Sequence, residues 1–246
     1  MSAIARLASL LAVICGAATA RAGDIAEHRI LGFTPDGDVF AFEEFGVQDG
    51  SGFPYSNIYV IDTDNDSWVP GTPIRVRLDD ETKPLAEARQ QARQQAAPIL
   101  GKIVLEDRAL ILGASPLGEF DANPVSLDFG EPFPANPLQD IARRYNASLD
   151  LYDAETPGQD CETYIGDKPK GFRLKIRNLT SNAEAVLHED QQVPQSRGCP
   201  ITYRIEAVAA PDTYPASKVA VVMSVFKPGF EGPDRRFMAI TGTLPQ

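Results

Sequence analysis

The order of apolar and polar residues along the chain predicts a protein built mainly of β-strands. In the stretch Ile74–Leu78, apolar residues alternate with two arginines, and a second stretch, 172–179, alternates nearly as regularly. An apolar residue at every second position is typical of a strand with one buried and one solvent-facing side. We therefore expect antiparallel sheets, because such sheets tolerate one wet face.

Short polar turns between apolar runs predict two hairpins. The runs 103–105 and 109–112 flank Glu-Asp-Arg, and the runs 172–179 and 183–188 flank Thr-Ser-Asn. Two short strand patterns joined by a few polar residues are the usual signature of an antiparallel pair.

Helix signals are fewer and predict one or two surface helices. The segment Pro84–Ala97 is rich in Ala, Glu, Gln and Arg, which are strong helix formers, and Pro98 is expected to end the helix. A shorter helix is predicted over Leu138–Tyr145, because Asn136 can cap its N-terminus and Pro137 suits the first position.

Two parts of the chain look alike and suggest an internal repeat. Apolar strands 39–42 and 58–61 are joined by a Gly-rich loop, and strands 219–222 and 237–240 by a Pro- and Gly-rich one. A repeated unit of two strands and a loop of about ten residues would explain this, and so would any two similar antiparallel pairs. A sandwich and an incomplete propeller both fit. We expect one β domain over 23–246, or two β subdomains joined near 80–140.

Two family resemblances are carried by these segments. The Pro-Asp-Gly turn in Gly32–Gly37, with the strands 39–42 and 58–62 that follow, resembles one blade of the propellers of the periplasmic Tol system and of prolyl peptidases. A wider set of segments, 33–37, 42–55 and 66–73, is similar to a bacterial family of predicted secreted proteins of unknown function, DUF2259. The second resemblance implies export and implies no catalytic residues.

The N-terminus has the composition of a signal peptide. Arg6 precedes an uncharged apolar run from Leu7 to Ala18, which is shorter than the roughly 20 residues that a transmembrane helix needs. The small residues that follow predict cleavage after Ala20 or Ala22. The alternative is a buried N-terminal helix. Removal of 1–22 would yield a periplasmic or secreted protein.

The charge balance argues against nucleic acid and anionic membranes as partners. Removal of 1–22 takes away two of the 23 basic residues and none of the 34 acidic ones, so 21 remain against 34, a net charge of −13. Nucleic acids and anionic lipids are bound through clustered Lys and Arg. A protein, a peptide or an envelope component remains a suitable partner, and the sequence indicates no cofactor.

Cys161 and Cys199 are the cysteines of the processed chain. In an oxidising compartment an even count predicts a disulfide. This bond would close a loop of about 39 residues and stabilise the fold by roughly 3–4 kcal/mol. Two buried thiols, or two metal ligands, are the alternatives.

No group of residues matches a known catalytic pattern. Ser51 lacks the strand–turn–helix setting of a nucleophile. The run His188-Glu189-Asp190 has no second histidine at helical spacing for zinc, and Glu43 and Glu44 lack an identifiable carboxylate partner for glycoside hydrolysis. A hydrolase therefore requires acidic residues that converge only in three dimensions.

The stretch Asp62–Asp66 is the best metal candidate, since oxygen ligands at alternate positions suit calcium. Ser67 and Pro73 stand where the calcium-loop pattern requires glycine and glutamate. We therefore interpret the stretch as a polar turn and predict no metal.

The loop between Gly46 and Asn57 is the predicted binding surface. Its candidate residues combine adaptable polar groups with aromatic anchors, and they are Gln48, Asp49, Ser51, Phe53 and Tyr55. The two aromatic side chains either supply contact area or fold back into the core. The favoured function is a non-catalytic periplasmic or secreted binding or scaffold protein, and the alternative is a cell-envelope hydrolase.

Overall fold

The computed structural model describes residues 23–101, 109–133, 141–230 and 232–246. The predicted signal peptide, 1–22, and the first strand of the predicted 103–112 hairpin lie outside these ranges. No helix in the described part of the chain is long and apolar enough to span a bilayer.

Strands dominate the described residues, as the alternating pattern predicts. The strands are β1 (Glu27–Phe33), β2 (Val39–Val47), β3 (Pro54–Asp62), β4 (Ser67–Trp68), β5 (Ile74–Arg77), β6 (Leu110–Ala114), β7 (Ser126–Pro132), β8 (Ile141–Asp153), β9 (Lys170–Asn178), β10 (Glu184–Glu189), β11 (Thr202–Ala210), β12 (Lys218–Pro228) and β13 (Pro233–Thr243). The helices are α1 (Leu85–Leu100), α2 (Cys161–Ile165) and a 3-10 turn, Gln195–Arg197.

The strands form three antiparallel sheets. Sheet I has the order β1-β2-β3-β4, with β5 also paired to β3. Sheet II has the order β13-β12-β11-β6, and sheet III has the order β10-β9-β8-β7. Most of these pairings join strands that follow one another in the chain, which accounts for the antiparallel arrangement.

Sheet II is the middle layer of a stacked sandwich. On β12, Val219, Val221 and Met223 pack with side chains of sheet III, whereas Ala220 and Val222 pack with side chains of sheet I. All five are fully buried. A strand covered on both faces is apolar at nearly every position, which explains why β12 is apolar from Val219 to Phe226 except at Ser224, whereas β5 and β9 alternate.

Helix α1 covers the outer face of sheet I. Its buried residues are Ala88, Ala92 and Ala96, spaced four apart on one side of the helix. Contrary to the sequence prediction, the helix does not stop at Pro98 but continues to Leu100. A proline in the last turn removes a single backbone donor, and the N–H of Gly101 closes that turn onto the carbonyl of Ala97 at 2.7 Å.

The second predicted helix is wrong where it can be checked. Residues Ile141–Tyr145 belong to β8, and 138–140 lie outside the described ranges. Tyr145 is fully buried and pairs with Phe129 on one side and Asn178 on the other. Packing of this large ring between two sheets outweighs the local capping signal, since propensity is a weak prior.

The disulfide and one hairpin are as predicted. Cys161 and Cys199 are bonded, with their Cα atoms 5.3 Å apart. Strand β9 pairs with β10 across the turn that follows Asn178. Strand β6, which contains most of the predicted 109–112 run, pairs with β11.

The two similar strand pairs are the hairpins β2–β3 and β12–β13. They lie in neighbouring sheets and face one another across a shared apolar cluster. Their loops are shorter than predicted, because β3 already begins at Pro54 and because Pro228 and Pro233 still pair with each other. An internal repeat stays a prediction.

Candidate functional site

A cavity of about 360 Å³ opens between the inner face of sheet I and the edge strand β13 of sheet II. One wall is aromatic: Phe42 stacks on Tyr59 with ring centres 4.7 Å apart, and Tyr59 contacts Trp68 at 6.3 Å. The pairing register explains this wall, since Phe42 lies opposite Tyr59 and Ile61 opposite Trp68. Trp68, the only tryptophan of the chain, is half exposed.

Glu44 lies in the same cavity and joins the two sheets. Its Oε1 accepts a hydrogen bond from the Asn57 side-chain amide at 2.9 Å, and its Oε2 accepts one from the backbone N–H of Phe237 at 2.6 Å. Burial raises the pKa of Glu44, and these hydrogen bonds oppose the rise. Both carboxylate oxygens are therefore engaged in holding the cavity walls together.

Four cationic side chains, Arg75, Arg197, Lys227 and Arg236, line the cavity. Arg236 bonds the carboxylate of Asp24 at 2.5 Å, and Arg197 bonds that of Asp190 at 2.6 Å.

The other two cations have no such partner. Among the described residues, neither Arg75 nor Lys227 forms an ion pair. The Arg75 guanidinium lies 5.7 Å from the centre of the Trp68 ring, within the range of a cation–π contact. Burial lowers the pKa of Lys227 and the neighbouring Arg236 adds to that effect, whereas three nearby carboxylates oppose it without forming an ion pair. Two cations thus face the cavity with hydrogen-bonding capacity left over.

Most of the chain, residues 41–243, matches the model of a family described as a predicted secreted protein, DUF2259. The chain belongs to the DUF2259 family. Among curated proteins, none matches the chain. The cavity residues just described fall within the matched part of the DUF2259 protein, whereas Asp24, which holds Arg236, lies outside it.

The sequence did not identify this cavity. Its residues come from sheet I, from the 3-10 turn and from the β12–β13 hairpin, which are far apart in the chain. The available signals were weak: Arg75 belongs to an ordinary alternating strand, and Lys227 follows a run that is apolar except for Ser224. Only the stacking of sheet I on sheet II brings these side chains together.

The aspartates of Asp62–Asp66 point in different directions in the DUF2259 protein. The Asp62 carboxylate accepts backbone hydrogen bonds from Asp64 and Asn65, Asp64 pairs with Lys218, and Asp66 accepts from the N–H and the hydroxyl of Thr241. Within the described residues, no three His, Cys, Asp or Glu side chains are placed to hold a metal ion. The segment is a polar turn that ties sheet I to β13.

We expect calcium to leave the melting temperature unchanged. A ligand bound only by the native state must raise it, by a free energy that grows with ligand concentration, but these carboxylates are already engaged within the protein. The measurement is a thermal melt of chelated protein with and without millimolar calcium. An increase of several degrees that magnesium does not reproduce would contradict this prediction.

The predicted binding loop is shorter than expected, because strands cover much of 46–57. The turn, residues 48–53, closes with a hydrogen bond from Gln48 N–H to the Phe53 carbonyl at 2.9 Å. Asp49 is exposed, whereas Gln48, Ser51 and Phe53 are half-buried. The Ser51 hydroxyl donates to the Gln48 side chain at 3.3 Å, so the polar groups of the turn partly satisfy one another.

Tyr55 lies in the core, below this turn. Its side chain is 5% exposed, and its hydroxyl donates to Asp24 at 3.2 Å. Gly46 is the residue opposite Tyr55, and a Cβ at Gly46 would lie 2.9 Å from the Tyr55 hydroxyl. This glycine therefore makes room for the ring and does not belong to a flexible loop.

The catalytic candidates are engaged in structural contacts. Glu43 faces helix α1, away from Glu44, and its carboxylate bonds Arg89 at 2.8 Å and Arg93 at 3.0 Å. Burial would raise the pKa of Glu43, but bonds from these arginines and from Ser56 outweigh it and lower the pKa. The adjacent glutamates thus point to opposite faces of β2.

The histidines are held by their own neighbours. His188 contacts the buried Asp190 at 2.9 Å, and Asp190 also accepts hydrogen bonds from Arg197 and from the N–H of Phe172. His28 packs on Phe237 with ring centres 4.4 Å apart. Burial, together with Arg235, lowers the pKa of His28 to about 4.

Proposed function

We propose that this DUF2259 protein is a non-catalytic binding protein that acts in the periplasm or outside the cell, after cleavage following Ala20 or Ala22. Its ligand site is the cavity between sheets I and II. The ligand is a small organic molecule, or the end of a longer one, with a flat apolar part that lies against Tyr59 and Trp68.

A single observation carries this proposal: two cations that form no ion pair with a described residue lie beside an aromatic wall in a cavity of ligand size. The volume of about 360 Å³ lies within the usual range for small-molecule sites. Apolar walls with a few convergent polar groups are typical of such sites. The family description, a predicted secreted protein, supports the compartment.

The hydrolase alternative would use Glu44 and Lys227. Burial moves the pKa values of both groups toward neutrality, as expected of an acid–base pair. However, both oxygens of Glu44 accept hydrogen bonds from the protein, so the carboxylate has little capacity left for substrate. A structural role of Glu44 in the cavity wall therefore agrees better with its contacts.

The turn residues Gln48, Asp49, Ser51 and Phe53 stay a prediction as a surface for a protein or peptide partner. Tyr55 is unsuited to that role, because its ring is buried. The cavity is the better ligand site, since it combines concavity and aromatic area with cations that no carboxylate of the described ranges pairs with.

The test uses Trp68 as a reporter, because a chain with one tryptophan labelled with 5-fluorotryptophan gives one protein ¹⁹F signal. We expect a panel of small aromatic compounds, neutral, anionic and cationic, to contain members that shift this signal saturably. Tyr59→Ala removes half of the stacked wall and should weaken their binding at least about tenfold.

Phe120→Ala is the matched control, because Phe120 is 91% exposed and does not line the cavity. Its titrations should match those of the parent protein. If no compound of any charge produces a saturable shift, the cavity is not a ligand site and the proposed function is wrong.

A further inference from the structure

Strand β13 is the edge of sheet II. Most of its backbone N–H groups that point away from β12 donate hydrogen bonds to groups outside the sheet. The N–H of Arg235 donates to the carbonyl of Asp24 at 2.9 Å, that of Phe237 to Glu44 at 2.6 Å and that of Thr241 to Asp66 at 2.8 Å. In an antiparallel pair, every second residue directs its N–H and C=O away from the neighbouring strand. These three residues share that outward phase.

The backbone N–H of Ala239 also points away from β12, and Ala239 lies between Phe237 and Thr241, whose N–H groups are hydrogen-bonded. It pairs with Val222 on β12 and lines the cavity. Among the described residues, its N–H has no hydrogen-bond partner outside the sheet. An unpaired donor and acceptor at a sheet edge are a template for another backbone amide.

The chain itself shows that this edge accepts an amide. The segment before β1 forms a one-residue bridge to β13, in which the N–H of Ala26 donates to the carbonyl of Arg235 at 3.2 Å and the N–H of Arg235 donates to Asp24. The position beside Ala239 is the next such place along β13 that remains open to the cavity.

The charges around the cavity limit which ligand can bind beside Ala239. The acidic side chains in or behind the cavity wall all accept hydrogen bonds from the protein, and they are Asp24, Asp190, Glu44, Asp66 and Asp234. Lys227, in contrast, forms no ion pair with a described residue. Among the described residues, the unused hydrogen-bonding capacity of the cavity therefore includes cationic donors and the backbone amide of Ala239.

We propose that the cavity binds a carboxylate that carries a neighbouring secondary amide and an apolar side chain, the chemistry shared by a peptide C-terminus and an N-acylated amino acid. The amide pairs with the backbone of Ala239, the carboxylate binds Lys227, and the apolar group lies on Tyr59 and Trp68. This inference rests on the proposed function and adds the ligand class to it.

The test compares four probes by titration of the Trp68 ¹⁹F signal. N-acetyl-L-phenylalanine has all three features, its carboxamide lacks the charge, and 3-phenylpropanoate lacks the amide. We expect N-acetyl-L-phenylalanine to bind at least about tenfold more tightly than either. The peptide Ala-Ala-Phe separates the sources: binding at least as tight indicates a chain end, and much weaker binding indicates a free acylated amino acid.

Two variants assign the contacts. Lys227→Gln should weaken N-acetyl-L-phenylalanine about tenfold and leave its carboxamide unchanged, whereas Lys168→Gln, which removes an exposed charge outside the cavity, should change neither. Ala239→Pro removes one N–H at an edge position where proline is tolerated, and it should abolish the advantage of the amide-bearing probe over 3-phenylpropanoate.

If Ala239→Pro fails to fold, the ¹⁵N shift of Ala239 in the parent protein gives the same information, because only amide-bearing probes should move it strongly. Equal affinity for the acid and its carboxamide, or no effect of Lys227→Gln, overturns the inference. If other aromatic compounds move the Trp68 signal and none of the four probes does, the inference fails and the proposed function stands.

Discussion

Tyr55→Ala is expected to lower the free energy of unfolding by about 3–5 kcal/mol, the usual cost of removing a large buried aromatic side chain. The ring is 5% exposed, packs in the cluster between sheets I and II and lies 5.2 Å from the Arg236 guanidinium. Its loss would leave a cavity and would remove the hydrogen bond to Asp24. Denaturant unfolding followed by circular dichroism measures the change.

Two companion variants separate packing from hydrogen bonding. Tyr55→Phe keeps the ring and should cost less, about 1.5–3 kcal/mol, the net value of one hydrogen bond to a charged group. Phe53→Ala, two residues earlier at a half-buried position, should cost much less than Tyr55→Ala. Equal effects of Phe53→Ala and Tyr55→Ala would show that Tyr55 is not the packing element described here.

The strands that the sequence predicted best are those with one wet face. Strands β5 and β9 alternate because helix α1 or sheet II covers one side of them and solvent the other. In β12, by contrast, both sides are buried, so its pattern indicates a strand without indicating its neighbours. The order of the sheets therefore had to come from the structure.

The helix prediction is wrong at Ile141–Tyr145 for a different reason. The Asn-Pro signal before it is a local preference worth little more than 1 kcal/mol, whereas the fully buried Tyr145 ring gains packing from both sheets that it touches. Local sequence preferences are therefore outweighed where a large side chain packs in the core. The same competition moved Tyr55 out of the predicted loop surface.

The candidate site was the least predictable part of the protein. Glu44 was noted only as an isolated acid, and its partner is a backbone N–H of β13, which has no sequence signature. Lys227 and Arg75 are informative because they lack ion-pair partners among the described residues, which is a property of the folded state. A cavity formed by stacked sheets combines residues that no spacing rule connects.

Removal of the disulfide by the double change Cys161→Ala and Cys199→Ala is expected to lower the free energy of unfolding by about 2–5 kcal/mol. The bond joins α2 to the segment just before β11 and closes a loop with a sequence separation of 38 residues. Without it the unfolded chain gains conformational freedom. The same change should raise the m-value, the slope of the unfolding free energy against denaturant concentration, because the unfolded chain then exposes more surface.

Reductant provides the matched control for this prediction. Dithiothreitol should destabilise the parent protein by a similar amount and leave the double variant unchanged. Loss of the bond should also change the surroundings of the proposed ligand cavity, because Arg197, which lines the cavity, lies two residues before Cys199 and is held by Asp190 at 2.6 Å. We expect the Trp68 ¹⁹F signal to shift on reduction of the parent protein. Unchanged stability on reduction would show that the native contacts of this segment hold it without the bond.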